Sequence, residues 1–462
     1  MTEQGVRWTS EQVLALAPDA ASRKAGGKLG SPGPWSGAGC DGRAVWGLCA
    51  GSGKTPYRTV VDTTGPAYAC GCPSRKFPCK HALGLLLLWA GDAAGTAVPT
   101  AGEAPGWAAD WLAGRRARAE AARAETGSGP ADPEAARRRA ERRAARITSG
   151  ARELEQRLAD LLRGGLASAE QAGYGLWEET AARMVDAQAP GLAGRVRELG
   201  AVAGSGPGWP VRLLEECALT HLLDRAWLSV DALPGPLAAT VRGRVGLPVS
   251  PEGPVLRDHW LVLAQYDTAD PRLTTRRIWL HGRSTGRTAL VLSFGAAGRS
   301  PQLALPAGVV VEAGLRPYGS GGGLRAELVE QSGTTTASGP PPAGTRVADA
   351  LAAYGRALRE DPWLDTWPVT LSDVVPARAE YGWQLADARP HAGTAGRAGG
   401  TAPDERDAVP LTRAAQAHPG LWRLVALSGG GPVSVFGEVG HQGFTPLAAW
   451  SPDEPGETVP LT

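Results

Sequence analysis

The chain has 462 residues, and its 48 basic and 46 acidic side chains give a formal net charge of +2. At roughly 100–200 residues per domain, this length predicts two to four domains. The balance of charge excludes a uniformly basic, histone-like protein but leaves room for a locally basic surface. The 63 glycines and 38 prolines indicate many turns and several linkers. They fall short of the share, about 25–30%, that is typical of a disordered chain.

The sequence contains no recognisable membrane or export segment. Its longest apolar run, 83–90, is less than half of the ~20 residues that a membrane-spanning helix needs. The first residues lack the basic and then apolar regions that mark a secretory signal. We therefore expect a cytoplasmic protein whose six cysteines are buried or bound to metal rather than paired in disulfides.

The N-terminal part of the chain divides into two segments. Residues 1–39 are small and polar and are expected to form a flexible N-terminal segment. Residues 40–91 contain two strand-like runs around a Gly-rich turn, a third extended piece at 68–72 and an apolar helix at 81–89. A linker rich in Gly, Ala and Pro, 91–106, is expected to separate this small unit from the rest.

Residues 107–230 are predicted to be mainly helical. Asp132-Pro133-Glu134 is typical of a helix start, because it places an N-cap before a proline at the first helical position and an acid in the first turn. The predicted helices cover 107–125, 133–163, 177–188 and 211–227.

The hydrophobic period changes to two after Leu237, which predicts a β-rich domain over 237–330, either a small barrel or a sandwich. The candidate strands are 239–247, 259–266, 276–282, 288–294, 308–315 and 324–330. After a linker at 331–344, the region 345–462 is predicted to be mixed α/β. Its candidate elements are a helix at 347–359, a Gly/Ala-rich loop at 390–405 and strands at 421–427, 432–439 and 443–450. The fold class predicted for the whole chain is multidomain α+β.

The most specific signal is a cluster of cysteine and histidine. Cys70, Cys72, Cys79 and His81 form the pattern Cys-x-Cys-x6-Cys-x-His. Residues i and i+2 of an extended segment point to the same side, so Cys70 and Cys72 can reach one metal ion. Three thiolates and one imidazole make a closed tetrahedral set, which suits structural Zn²⁺ and leaves no open position for a substrate.

This segment resembles the SWIM zinc finger, whose pattern is Cys-x-Cys, a variable gap and Cys-x-His. The resemblance implies a small ββα finger over residues 40–91, with Cys70, Cys72, Cys79 and His81 as the zinc ligands. The whole chain further resembles bacterial SWIM-containing proteins that are often encoded near AAA-type ATPases. SWIM domains are associated with binding of DNA or proteins, so the resemblance implies a nucleic-acid or a protein partner.

The predicted finger is also basic, with six basic and two acidic side chains over 40–91. The side chains that we expect to contact nucleic-acid phosphates are Lys54, Arg58, Arg75, Lys76 and Lys80. Such contacts would give salt-dependent binding with weak sequence preference. Aromatic residues interleave with these charges and could stack on bases, but for most of them a place in the small core of the finger is the favoured interpretation.

A second basic stretch lies between Arg115 and Arg146, which carries ten arginines against five acids. The favoured interpretation is a solvated helix with Glu–Arg pairs such as Glu134 with Arg138. A stripe that binds nucleic acid is the alternative.

Other motifs are weaker. The turn Gly51–Thr55 lacks the upstream glycine and the following helix of a P-loop, so a hairpin turn is favoured. Cys217 and His221, four residues apart on a helix, are expected to be core residues rather than metal ligands. We expect Cys49 to be a packed strand residue and Cys40 to lie in a loop.

No catalytic set can be named, so we do not expect an enzyme. Asp258, His259 and His281 could form an acid–base set, but no nucleophile is marked beside them and the chain lacks the G-x-S-x-G and H-E-x-x-H motifs. Two hypotheses remain. The first is a zinc-binding protein that binds nucleic acid, DNA above all. The alternative is a protein–protein interaction adaptor for a partner such as an AAA-type ATPase.

Overall fold

The computed structural model describes the chain apart from residues 1–7, 52, 54, 64–66, 75, 77, 93, 102, 127–131, 168, 170–172, 270–272, 297–300, 302, 320–322, 338, 381 and 389–406. The loop expected at 390–405 therefore lies outside the described residues. The predicted α+β class is confirmed, because an N-terminal sheet is followed by a helical middle and two β-rich units, one of them a closed five-stranded barrel. None of the described helices is both long and apolar enough to cross a membrane.

The N-terminal unit is a four-stranded antiparallel sheet covered by helices. Its elements are α1 (Ser10–Ala15), α2 (Ala20–Gly27), β1 (Trp35–Cys40), β2 (Ala44–Cys49), β3 (Tyr57–Asp62), β4 (Ala67–Cys70) and α3 (Lys80–Gly91). The strands follow one another in the order β1-β2-β3-β4. This sheet is larger than the ββα unit that the resemblance implies: β4 overlaps the extended piece expected at 68–72, whereas β1 was not predicted.

The prediction of a flexible segment over 1–39 is wrong for its described part, residues 8–39. Thr9 and Gln12 form a capping box at the start of α1, in which each side chain accepts a hydrogen bond from the other residue's backbone N–H. Helix α2 approaches α3 so closely that a Cβ on Gly26 would lie 2.8 Å from the Cβ of Leu83. The segment is therefore packed on the finger helix. The capping box of Thr9 and Gln12 is a sequence signal that could have predicted helix α1.

The described part of the helical middle contains two α-helices that were not predicted, α7 (Pro190–Val202) and, at its end, α9 (Gly235–Val245). The elements are α4 (Gly106–Thr126), α5 (Pro133–Gly164), α6 (Gly173–Asp186), α7 (Pro190–Val202), α8 (Trp209–Leu228), a 3₁₀ turn (Val230–Ala232) and α9 (Gly235–Val245). The strand predicted over 239–247 is wrong, since these residues lie in and just after α9. Pro236 stands in the first turn and Gly246 caps the end with φ 106°, the arrangement that starts and stops a helix.

The barrel follows the helices and is formed by β5 (Leu256–Ala269), β6 (Leu273–Gly282), β7 (Thr288–Ala296), β8 (Val309–Pro317) and β9 (Arg325–Ala337). The closed order is β5-β6-β7-β9-β8, with β7 and β9 parallel and the other pairs antiparallel. The prediction of a linker that starts at residue 331 is wrong, because β9 continues to Ala337 and pairs with β8.

The C-terminal unit is a six-stranded sheet with three helices. Its elements are α10 (Val347–Glu360), β10 (Thr366–Ala379), β11 (Gly382–Asp387), β12 (Ala408–Pro410), α11 (Arg413–Ala417), α12 (Gly420–Ser428), β13 (Val433–Gly440), β14 (Gly443–Trp450) and β15 (Val459–Pro460). The strand order is β12-β11-β10-β13-β14-β15. The strand predicted at 421–427 is wrong: Leu421 and Leu424 are buried three residues apart in α12, and Gly429 ends this helix with φ 52°.

The finger and the barrel share one hydrophobic core. A continuous cluster of buried side chains includes Val13 of α1, Leu85 of α3 and Val262 and Ile278 of the barrel. The segment 91–106, expected to be a loose linker, contributes the fully buried Val98 to this cluster. The finger is therefore joined to the body of the protein by apolar packing, not only by the chain.

The outer face of the barrel is covered by the C-terminal sheet. Trp279 of β6 and Leu290 of β7 belong to one buried cluster with Phe436 and Trp450 of β13 and β14. Within this interface the Trp279 indole N–H donates a 2.8 Å hydrogen bond to Glu438. The two β-rich units thus form a mostly apolar, permanent contact.

One buried carboxyl group stands out in the helical middle. Asp224 on α8 is fully buried, and neither of its oxygens has a hydrogen-bond partner among the described residues. Burial, and then the charge of Glu155, raise its pKa to about 8 from an ordinary value of 3.8. The unfolded chain therefore releases this proton at much lower pH than the folded chain does.

We predict that Asp224 makes the protein less stable as pH rises. Because the folded-state pKa is the higher one, stability falls between about pH 4 and pH 8, by up to about 1.4 kcal/mol per pH unit from this group. Asp224→Asn should remove this contribution. Its thermal unfolding temperature in calorimetry should therefore exceed that of the wild type by more at pH 8 than at pH 5. Asp231→Asn, at an exposed position, is the matched control, and an equal pH effect in both variants would contradict the prediction.

Candidate metal centre and basic surface

The four predicted ligands come from the end of a strand and the start of a helix. Cys70 is the last residue of β4, and its backbone is held opposite Thr59 of β3. Cys72 follows in the turn after this strand. Cys79 is the N-cap of α3, with an extended backbone at φ −73° and ψ 168°, and His81 lies in the first turn of that helix. The strand end and the helix start therefore bring both Cys-x-Cys and Cys-x-His to one point.

The donor atoms of Cys70, Cys72, Cys79 and His81 all lie within 4.8 Å of one another. Cys79 and His81 are buried, whereas Cys70 and Cys72 are half-buried. The Nδ1 atom of His81 is 3.6 Å from the sulfur of Cys70. The His81 ring also packs on Tyr57, with ring centroids 4.8 Å apart. The imidazole is thus fixed with one nitrogen towards the sulfur cluster.

The electrostatics of the cluster favour a bound cation. Hydrogen bonds from Cys79, and to a lesser extent from His81 and Thr59, lower the pKa of the Cys70 thiol to about 4. The hydrogen bond to Cys70 and burial raise the pKa of Cys79, while burial raises the pKa of Cys72. With no cation, one thiolate forms and it suppresses ionisation of its neighbours. A divalent cation would let all three sulfurs ionise, because it supplies the positive charge that they lack.

Three sulfurs and one imidazole fit Zn²⁺. This donor set is typical of closed, four-coordinate structural zinc sites. Soft thiolate ligands exclude the cations that prefer oxygen, such as Mg²⁺ and Ca²⁺. The chain therefore has the residues of a structural zinc centre, formed by Cys70, Cys72, Cys79 and His81.

The comparison with family models agrees with this class of site. Residues 60–90 match the SWIM zinc finger, and residues 142–245 match the SWIM-associated four-helix bundle domain. The first match contains all four ligands, and the second runs from within α5 to the end of α9. The resemblance to SWIM zinc finger proteins is thereby confirmed for these two segments. No curated protein and no solved structure matches the chain.

The cations expected to contact nucleic acid differ in their surroundings. Lys54 and Arg75 lie outside the described residues. Arg58 on β3 and Lys80 at the start of α3 are exposed, and neither makes an ion pair within the described part of the chain. Lys76 is instead bound to Asp19, the N-cap of α2, at 2.5 Å, and this lysine lowers the pKa of Asp19 to about 2. Lys76 thus links the ligand loop to α2.

The aromatic side chains of the finger belong mainly to its core. Trp46 is buried in a cluster with Val60, and Tyr68 packs against the core that the finger shares with the barrel. Tyr57 is half-buried against His81. Phe77 lies outside the described residues. The structure therefore supports the interpretation of these aromatic residues as core, which leaves contacts to nucleic acid to the cations.

The remaining cysteines do not extend the metal centre. The ligand cluster is the one group of three or more potential ligands found in the described residues. Cys49 is buried in β2, as expected. Cys40 is the last residue of β1 rather than a loop residue, because its backbone pairs with β2. Cys217 is buried in the bundle, whereas His221 is exposed.

The candidate acid–base set has a structural explanation. The carboxylate of Asp258 accepts hydrogen bonds from the backbone N–H groups of His259, Ser284 and Thr285, at 2.7 to 3.2 Å. It also accepts one from the Thr285 hydroxyl. This carboxylate thus holds the turn between β6 and β7. Burial lowers the pKa of His281, which favours its neutral form in the barrel wall.

We predict that loss of zinc loosens more than the finger. Cys72→Ser or chelation should remove amide protection from β3, β4 and α3, because metal binding supplies folding free energy to such a small unit. The loss should spread to α1 and to barrel strands, since Val13, Leu85 and Val262 share one core. Hydrogen exchange followed by mass spectrometry measures both effects.

Cys217→Ser is the control, because this cysteine is buried outside the metal centre. It should keep both the zinc and the protection of α3. Loss of protection confined to residues 40–91 would contradict the shared core. Unchanged protection in the zinc-free protein would contradict a structural role of the metal.

Proposed function

We propose that the protein is a zinc-binding protein whose finger contacts nucleic acid through exposed cations, without catalysis. The observation that carries the proposal is the position of Arg58 and Lys80, two exposed cations beside the metal ligands that make no ion pair among the described residues. The backbone carbonyl of Arg58 accepts a hydrogen bond from Gly71, so Arg58 is held next to the Cys-x-Cys turn. Cations fixed by a metal-stabilised loop suit a phosphate backbone.

A groove next to the metal centre gives such a backbone room. It has a volume of about 580 Å³ and lies between α2 and the ligand loop. Its lining includes Lys80, Ser22, Ser74 and the metal ligands Cys72 and His81. A phosphate that enters this groove would therefore lie near Lys80.

The part of the barrel's outer face around Trp279 and Leu290 is closed to nucleic acid, whereas Phe294 on β7 is exposed. Five-stranded barrels of the OB type bind oligonucleotides on the outer face of their second and third strands. In this chain those strands are β6 and β7, and Trp279 and Leu290 on their outer face pack against Phe436 and Trp450. The covered barrel face leaves the finger as the favoured contact.

The state of the cysteines suits the cytoplasm. All six are free thiols, and three of them lie in the metal centre. Thiols of this kind persist in a reducing compartment. We therefore propose that the binding takes place in the cytoplasm, and DNA is the first ligand to test.

We predict salt-dependent binding of short labelled DNA, measured by fluorescence anisotropy on zinc-loaded protein. The double variant Arg58→Ala with Lys80→Ala should bind less tightly. Its slope of log affinity against log salt should be flatter by up to about 2, since each phosphate contact on duplex DNA contributes about 0.9. This double variant and its control must each be shown to keep the zinc.

The control is Arg356→Ala with Arg359→Ala, which removes the same charge from exposed positions on α10. It should leave the slope unchanged. Equal weakening by both double variants would indicate an effect of net charge alone. No binding of DNA or RNA by the wild type at low salt would contradict the proposal and favour the protein adaptor instead.

A further inference from the structure

A second basic surface lies on the helical bundle, outside the finger. It is a groove of about 870 Å³ between the N-terminal half of α5, the end of α8 and α9. The arginines that line it are Arg139, Arg142, Arg143, Arg146 and Arg242. Two acids also line it, Glu141 and Asp231. The groove brings together residues more than 100 positions apart in the chain, so the sequence pattern alone does not reveal it.

The two acids of the groove are already paired. Glu141 accepts a 3.0 Å contact from Arg137, four residues earlier on the same helix. Asp231 lies 3.5 Å from Arg242. Arg139 and Arg142, by contrast, are exposed and make no ion pair within the described residues. Their positive charge is therefore available to a ligand.

Two further arginines hold the groove in shape. The Arg143 guanidinium donates to the backbone carbonyls of Gln188, at 3.3 Å, and Gly246, at 3.1 Å. Its Nε atom is buried and has no partner among the described residues. Arg146 donates to the side-chain oxygen of Gln188 at 3.1 Å. The ends of α6 and α9 are thus fixed against α5, and one buried donor remains unused.

The floor of the groove is apolar. The half-buried Ala144, Leu228 and Leu247 line it together with the buried Trp227, whereas the lining residues Ala140 and Pro248 are exposed. Trp227 is buried, and its indole N–H donates a 3.1 Å hydrogen bond to the Thr148 hydroxyl. The indole ring is therefore enclosed within the bundle, and it offers no free surface on which a base could stack.

We propose that this groove docks an acidic, amphipathic peptide segment of a partner protein. Its carboxylates would pair with Arg139 and Arg142, and an apolar side chain would lie on the floor beside Leu247. Complementary charge and an apolar floor together fit such a segment. Nucleic acid would leave the apolar floor unused, because the buried Trp227 offers no ring face on which a base could stack. The proposal is independent of the finger, so it can fail or succeed separately from nucleic-acid binding.

The test uses the full, zinc-loaded chain and a labelled probe peptide of about twelve residues, with glutamates on one helical face and leucines on the other. A second peptide carries serine in place of the leucines. Anisotropy should show binding of the first peptide and clearly weaker binding of the second. Arg139→Ala with Arg142→Ala should weaken the first peptide about fivefold to tenfold, as expected for the loss of two charged contacts.

The control is Arg152→Ala with Arg163→Ala, which removes two exposed arginines from the same helix outside the groove. It should leave binding unchanged. The proposal is overturned if the leucine peptide does not bind, if both peptides bind equally, or if both double variants weaken binding alike. It is also overturned if single-stranded DNA binds the wild type in place of the peptide and loses affinity only in the Arg139/Arg142 variant, because the groove is then a nucleic-acid site.

Discussion

The crowding of three thiols around one imidazole is the constraint on which the N-terminal half of the structure depends. Without a cation, the Cys70 thiolate and burial raise the pKa of Cys79 and so oppose its ionisation. Zinc removes this conflict and joins the end of β4 to the start of α3.

This junction matters beyond the finger because α3 is almost entirely apolar. Leu83, Leu85 and Leu86 are fully buried, and they belong to a core that continues through α1 into the barrel. The barrel in turn packs its outer face on the C-terminal sheet. Metal binding, the finger helix and the barrel therefore form one connected body. The two basic surfaces lie at different places on the chain, one beside the metal and one on the helical bundle.

The parts of the fold that could be predicted are those set by local pattern. The metal ligands could be predicted from residue spacing, because an extended segment places Cys70 and Cys72 on one side and Cys-x-His recurs a few residues later. The strand wrongly predicted at 239–247 shows the limit, because an apparent hydrophobic period of two was given more weight than Pro236 and Gly246, which frame α9. The shared core and the arginine-lined groove could not be predicted, since Arg143 meets Gly246 across 103 positions of the chain. Contacts of this range depend on tertiary packing.

The most direct test of this account is X-ray absorption spectroscopy at the zinc edge on the purified, zinc-loaded protein. The account predicts three sulfur ligands at about 2.3 Å and one nitrogen ligand at about 2.0–2.1 Å, supplied by Cys70, Cys72, Cys79 and His81. Loss of the nitrogen signal in His81→Ala would identify the imidazole. Four sulfur ligands in the wild type would show that another cysteine replaces His81, and a shell of oxygen ligands would show that the cluster does not hold the metal. Either result would contradict the account.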